Sequence, residues 1–265
     1  MSKVWFITGT SSGFGFAFVK AALEQGDNVI AVSRNTHPLS ILQEKYGNRL
    51  LVEKLDVTNR KKVFDVVNRA KNHFGKLDIV LSNAGYLHFG PVEELTEQEL
   101  RNQMETNFFG SVNVIQAVLP ILREQGAGHI LQVTSVGGVV ASSFVSAYHA
   151  SKYALEGFLT AMAAEVEKFG IKTTMIEPGS FGTNLVGTSS VTEIRLPAYK
   201  EDFELFLENS NNHIGEPPNN AAKIIMRVVQ SRNPPRHLLI GKDITAIVKQ
   251  VYEQKLAVWS EWENA

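Results

Sequence analysis

Tyr148 and Lys152, four residues apart, carry the clearest chemical pattern in this 265-residue chain. They lie in YHASKYALEGFLTAMAAEVEKFG, where Ala147, Ala154, Phe158, Ala161 and Met162 predict an amphipathic helix ending near Gly170. Spacing of i and i+4 places both side chains on one helix face. A phenol with a pKa near 10 exchanges protons poorly at neutrality, but a nearby ammonium stabilises its phenolate. One unit charge about 5 Å away contributes about 3 kcal/mol at an effective dielectric near 20, roughly two pKa units. The pair could therefore move a proton near working pH. YxxxK is common by chance, so two ordinary helix residues is the plain alternative.

A second pattern suits an anion. Val4–Thr8 reads as a strand that feeds directly into Gly9, Thr10, Ser11, Ser12, Gly13, Phe14 and Gly15, and a helical stretch to Leu23 follows. Glycines let the backbone turn tightly and approach a pyrophosphate, while the helix start offers free N–H groups and the positive end of its dipole. The order strand, glycines, helix separates this cluster from an ordinary turn; Thr10, Ser11 and Ser12 either contact phosphate or only stabilise that turn. In dinucleotide folds an acidic residue about 20 positions further on grips the ribose 2′-hydroxyl. Here Ser33 and Arg34 stand after the second strand run. A serine can hydrogen-bond a 2′-phosphate and an arginine can pair with it, so NADP(H) is favoured and NAD(H) is a secondary possibility. The alternative is a solvated arginine at a strand end. Asp56, with Val57 after it, could hold the adenine edge or cap the helix beginning after Thr58.

These groups need a scaffold. The runs VWFIT, NVIAVS, LLVEKLDV, LDIVLSN, HILQVTS, KTTMIE and HLLIG alternate with helical stretches such as Lys61 to Phe74, where Val63, Val66, Val67 and Ala70 share one face. Nearly continuous apolar strands imply burial on both faces. The expected fold class is α/β: a Rossmann-type, doubly wound parallel sheet of about seven strands with helices on both faces, one domain over residues 1–265. Residues 185–218 are polar and poor in strand signals; a substrate lid with a mobile loop and one short helix is expected there. A helical tail at 242–265 carries Ile244, Ile247, Val248, Val251 and Tyr252 on one stripe, as core or interface packing would.

Composition removes several classes. With 26 basic and 27 acidic residues, no global field recruits nucleic acid or an anionic membrane. Cysteine is absent, which excludes disulfides, a thiolate nucleophile and cysteine zinc sites, and no metal ligands are assigned. No apolar run reaches the length of a membrane span, and a cytoplasmic protein is expected.

Taken together, the chain from Lys3 to about Thr183 resembles the short-chain dehydrogenase/reductase family. The resemblance rests on TGxxxGxG at Thr8 to Gly15, LDVT at Leu55 to Thr58, NAG at Asn83, Ala84 and Gly85, then Asn107, Ser135, the YxxxK pair, and Pro178, Gly179 and Thr183. It is most similar to the compact branch that includes carbonyl reductases, retinol dehydrogenases and 17β-hydroxysteroid dehydrogenases. The resemblance implies that Tyr148 is the general acid in carbonyl reduction and the base in alcohol oxidation. Ser135 would hydrogen-bond the substrate oxygen, Lys152 would also hold the nicotinamide ribose, and Asn107, where a helix begins after NQMET, would position a water. Asn83 and Gly85 would pass close to the cofactor and Thr183 would meet its carboxamide or pyrophosphate end. The implied substrate is a small carbonyl or alcohol, apolar or aromatic given the candidate walls: Tyr86, His88 and Phe89 after NAG, Val139 to Phe144 before the tyrosine, and the lid. A homo-oligomer, dimer or tetramer, is expected.

Plain alternatives stand beside these roles: Ser135 could terminate a strand, Asn107 could be a helix cap, and His149 is structural because adjacent helix residues point about 100° apart. Ser82 stands where many relatives have asparagine, and Phe14 replaces a small aliphatic residue. Two rivals remain. Sugar-nucleotide epimerases share YxxxK but usually have TGxxGxxG and a larger C-terminal lobe, and a non-catalytic NADP(H)-binding redox sensor would typically lose the tyrosine or lysine.

Overall fold

A computed structural model describes residues 2–183, 185, 189–212 and 214–263. The chain alternates strand and helix: β1 Val4–Thr8, α1 Gly13–Glu24, β2 Asn28–Ser33, α2 Ser40–Tyr46, β3 Leu50–Lys54, α3 Arg60–Phe74, β4 Ile79–Ser82, β5 His88–Phe89, α4 Glu97–Met104, α5 Gly110–Gln125 and β6 Gly128–Val133. It continues with α6 Ser146–Val166, β7 Ile171–Pro178, β8 Ser190–Val191, α7 Pro197–Asn212, α8 Pro218–Val228, β9 His237–Ile240 and α9 Ile244–Trp262.

Seven strands form one parallel sheet in the order β3-β2-β1-β4-β6-β7-β9. All seven strand runs expected from the sequence are in it. The chain builds outward from β1 to β3, then returns to the centre and builds the other way from β4. Between β1 and β4 lies the topological switch point, where a crevice opens beyond the strand ends.

Period-two alternation explains the unbroken apolar strands. In β1, Val4 and Phe6 enter the core layer under α3, α5 and α6, whereas Trp5 and Ile7 enter the layer under α1, α2 and α8. Both faces are thus covered, and all four side chains are at most 1% exposed. Helix α3 buries Val63, Val66, Val67 and Ala70, as the periodicity implies, and ends at Gly75 with φ 80°. Its N-cap is Asn59, whose side chain accepts from the Lys62 amide at 3.0 Å. Asp56 is not the cap; its Oδ1 accepts from the Thr58 amide and hydroxyl instead.

Helix α6 differs from its expected stripe. Ala147 and Met162 are buried as expected, together with Tyr148, Lys152, Leu155, Glu156, Leu159, Ala163 and Val166, but Ala161 is exposed and Ala154 and Phe158 are only half-buried. Two charged residues on the inner face rotated the true stripe away from the purely apolar reading. Residues 185–218 also hold more structure than a loop with a short helix: β8 pairs in parallel with β5, and α7 runs for 16 residues. Residues 186–188 and 213 of that stretch, and 184 just before it, lie outside the described residues. In the tail, α9 buries none of its residues; Ile244, Val248 and Val251 are half-buried, and Ile247 and Tyr252 are exposed. Core packing therefore does not account for the stripe.

Candidate active site

The loop after β1 owes its shape to missing side chains. Gly9 has φ 69°, and a Cβ there would lie 2.8 Å from Ala84 Cα; one on Gly15 would lie 2.1 Å from the Gly9 carbonyl oxygen. Asn83, at the end of β4, fixes the turn: its Nδ2 donates to the carbonyls of Thr8 and Gly9, and its amide donates to Thr8 Oγ1. Thr10 is fully buried with its hydroxyl donated to the Val32 carbonyl, so it braces the turn. Thr10 and Gly15 shape the loop from behind and line neither cavity.

Two adjoining cavities follow the crevice. One, of about 240 Å³, is walled by Ser11, Ser33, Arg34, Asp56, Val57 and Ala84. The other, of about 450 Å³, is walled by Gly13, Phe14, Ser135, Tyr148, Lys152, Pro178, Gly179 and Thr183. Gly9, Ser12, Asn83, Gly85 and Tyr86 border both, making one groove that runs from Arg34 to Tyr148. Arg34 is exposed and makes no hydrogen bond or ion pair with another described residue. Ser33 is buried, and its hydroxyl donates to the Asn35 carbonyl at 2.6 Å, so of the two residues expected at a 2′-phosphate only Arg34 is uncommitted.

At the far end, Tyr148, Lys152 and Ser135 are all buried. Lys152 Nζ donates to the Val133 carbonyl at 3.0 Å and lies 5.6 Å from the centre of the Tyr148 ring. Ser135 follows β6 in extended backbone and accepts from the Gly137 amide at 2.9 Å, which turns its hydroxyl toward Tyr148. Asn107 is fully buried inside a π-helical turn, Glu105–Phe109, that joins α4 to α5 without a break. It does not begin a helix, nor cap one; such bulges widen a helix locally and recur at functional sites. Its Nδ2 donates to the Tyr86 carbonyl and to Ser151 Oγ, each at 3.0 Å. A Cβ on Gly85 would lie 3.1 Å from Asn107 Oδ1 and 3.8 Å from Lys152 Nζ, so these three residues converge.

The electrostatics depart from the expectation. Burial pushes the Tyr148 phenol up, and only the neighbouring Ser135 hydroxyl opposes this. Burial also draws Lys152 down to about 8, against the raising effect of Glu156. Low dielectric penalises the lysine's own charge, so the ammonium does not bring the phenol down in the way a fixed unit charge would.

His88 is the clearest correction among the substrate residues. It is 2% exposed and lines neither cavity; its Nδ1 contacts Ser190 Oγ at 2.7 Å and its Nε2 contacts Thr192 Oγ1 at 2.8 Å. It ties the β8 segment to β5. Tyr86 does face the groove. His149 is structural, holding Gly137 and Ser142 through its two ring nitrogens. Sequence reasoning missed Leu87, Val136 and Phe181 on the cavity wall, whereas Leu185 there is the first residue of the expected lid. Only Leu87 and Val136 had a signal, each being adjacent to a residue already singled out.

Residues 3–193 match the short chain dehydrogenase family. The chain belongs to that family. This short-chain dehydrogenase is 38% identical over its whole length to oxidoreductase BOA17 of Botryotinia fuckeliana, covering 98% of that protein. It is 35% identical to 3-ketodihydrosphingosine reductase of Bacteroides thetaiotaomicron, over 90% of this chain and 88% of the other. A solved short-chain dehydrogenase from Streptomyces avermitilis superposes with a TM-score of 0.93 at 36% identity, covering 99% of this chain and 97% of that one. The protein is thus an oxidoreductase of the short-chain type. No helix among the described residues is long and apolar enough to cross a membrane.

Proposed function

We propose that the protein interconverts an apolar ketone or aldehyde with its alcohol, using NADP(H) in preference to NAD(H). The observation that carries this reading is the single groove with a free guanidinium, Arg34, at one end and the Tyr148–Ser135–Lys152 cluster at the other. Its glycine walls fit a dinucleotide, since a Cβ on Gly9 or Gly13 would fill the space or strain a left-handed backbone. When bound, the nicotinamide supplies or accepts the hydride.

The chain's own residues do the rest. Tyr148 gives its phenolic proton to the carbonyl oxygen during reduction and takes it back during oxidation. Ser135, on the phenol side of the cleft, donates to the same oxygen as charge develops on it. Lys152 keeps positive charge beside the phenol, and Asn107 holds the Tyr86 backbone so that the lysine end of the groove keeps its shape. Substrate is enclosed by Tyr86, Leu87, Phe181 and Leu185 on the cavity wall. Behind them Phe89, Phe144, Phe203 and Phe206 form an aromatic cluster, with ring centres of neighbouring pairs 5.3–6.4 Å apart. Residues 185–218 act as the lid: α7 brings Phe203 and Phe206 onto Phe144, four residues before the catalytic tyrosine. Such a lining suits aryl or bulky aliphatic groups over charged metabolites. The similarity to a 3-ketodihydrosphingosine reductase agrees with a ketone as the reducible substrate.

The test is NADPH oxidation, with NADH in parallel, across aryl, aliphatic, steroidal and retinoid carbonyls, using Tyr148→Phe as the blank. Tyrosine-dependent turnover with one apolar group supports the reading. Turnover restricted to anionic ketones overturns the substrate class, and tight NADPH binding with no turnover of any carbonyl favours a redox sensor.

A further inference from the structure

Behind the cluster that faces the groove, α6 carries a third ionisable residue. Tyr148, Lys152 and Glu156 stand at i, i+4 and i+8, and all three are buried. Glu156 is 8% exposed, and neither of its carboxyl oxygens has a hydrogen-bond partner. The Thr134 hydroxyl beside it gives its proton to the Ile176 carbonyl. Glu177 on β7 is 2% exposed and is the second carboxyl here. His237 on β9 lies between them, with Nδ1 2.7 Å from Glu177 Oε1 and 3.5 Å from Glu156 Oε2.

Two buried carboxyls side by side disfavour each other's ionisation, so the pair holds a proton more firmly than either group would in water. The charged groups that face Glu156 are Lys152 from α6, Glu177 from β7 and His237 from β9. The neighbouring Arg236 is engaged elsewhere, with Glu167 at 2.6 Å. The strap after β6 closes the near side: a Cβ on Gly138 would lie 3.0 Å from Glu156 Cγ and 3.1 Å from the Lys152 carbonyl oxygen. His237, half exposed, is therefore the side on which the cluster meets solvent.

We propose that Glu156, Glu177 and His237 form a second proton site, open to solvent at His237, whose proton count sets how firmly Lys152 keeps its ammonium. The step is an acid–base exchange: the Glu156 O–H bond breaks, the proton passes to water by way of the His237 side, and the carboxylate left behind faces Lys152 one helical turn away. No electron moves. Glu156 is thus a positioning residue for the lysine and touches neither substrate nor cofactor. Burial, with the charge of Glu177 adding to it, holds Glu156 up at about 7, so the site changes charge near neutrality. Above that range the new anion raises Lys152, which burial has drawn to about 8. The functional consequence rests on the reading of Lys152 given above; the proton site does not.

The test has two arms. Infrared titration of the intact protein follows the C=O stretch of protonated carboxyls: wild type should show one carboxyl losing its proton near neutrality, absent from Glu156→Gln. His237→Arg supplies a cation that does not titrate, so it should move that step to lower pH. In the second arm, kcat/KM against pH for the best carbonyl should show the alkaline limb of Glu156→Gln displaced to lower pH by about one unit, a roughly tenfold loss at a pH on that limb. Glu156→Asp, which keeps the charge, should restore much of the wild-type limb and serves as the variant if Glu156→Gln does not fold. A carboxyl titration unchanged by Glu156→Gln overturns the proton site. A normal infrared result with superimposable pH profiles overturns its coupling to Lys152. If no carbonyl is turned over, the functional reading fails while the infrared arm still decides the proton site.

Discussion

Asn107 and Tyr86 exchange two hydrogen bonds: Asn107 Oδ1 accepts from the Tyr86 amide and Nδ2 donates to the Tyr86 carbonyl, both at 3.0 Å. A side-chain amide thereby replaces a backbone partner for the loop that joins β4 to β5. Asn107→Ala should orphan the Tyr86 amide, while the Tyr86 carbonyl keeps its bond from Gln103 Nε2, and should cost about 1–3 kcal/mol of stability. Melting temperature and turnover should fall together. Lost turnover at unchanged melting temperature would assign Asn107 a purely chemical role.

Tyr148→Phe should behave differently. The proton donor goes but the glycine walls stay, so kcat should drop by about 10²–10⁴-fold while NADPH affinity remains near wild type. Fluorescence titration with NADPH beside steady-state kinetics separates the two quantities. A variant that retains turnover refutes the role given to the phenol.

Arg34→Ala should weaken NADPH binding by about 10- to 100-fold, the worth of a charge-assisted contact, and leave NADH binding nearly unchanged. Parallel titrations of the two cofactors check this. Equal losses for both would show that Arg34 does not read the 2′-position.

His129 links pH to stability. It is 5% exposed, with Nε2 2.9 Å from Thr174 Oγ1, and burial lowers it to about 4. The folded state therefore binds its proton less readily than the unfolded chain, so this contribution is complete above about 6.5 and is lost as pH falls toward about 4. The amount is about 3 kcal/mol. Urea unfolding at pH 7 and pH 4.5 should show His129→Gln losing much less stability across that interval than wild type. Equal pH slopes would assign the acid sensitivity to other groups.

His88→Ala would leave the Ser190 and Thr192 hydroxyls without their buried partner and loosen the β8 segment, which would keep only its backbone pairing with β5. Because His88 touches no cavity, KM for the carbonyl should rise severalfold with smaller effects on cofactor binding. A change confined to kcat at constant KM would contradict the lid assignment.

The sequence alone determined the parts of this protein that depend on local repetition or on bonded spacing. Seven apolar runs were legible as strands because burial on both faces leaves no polar alternation to confuse them, as in Trp5, Phe6 and Ile7. Tyr148 and Lys152 were legible because i and i+4 fix a shared helix face, and the glycine turn because a strand and a helix bracket it. What the tertiary structure decided was which side chains are already occupied. Ser33, Thr10 and His88 have the right atoms for binding, but each spends them on a partner: Asn35 close by, Val32 and Thr192 far along the chain. Likewise Glu156 reads as an ordinary helix-surface acid until β7 and β9 bring Glu177 and His237 against it. The direction of the Tyr148 shift belongs to the same class, because desolvation depends on everything packed around a group and no sequence spacing encodes it.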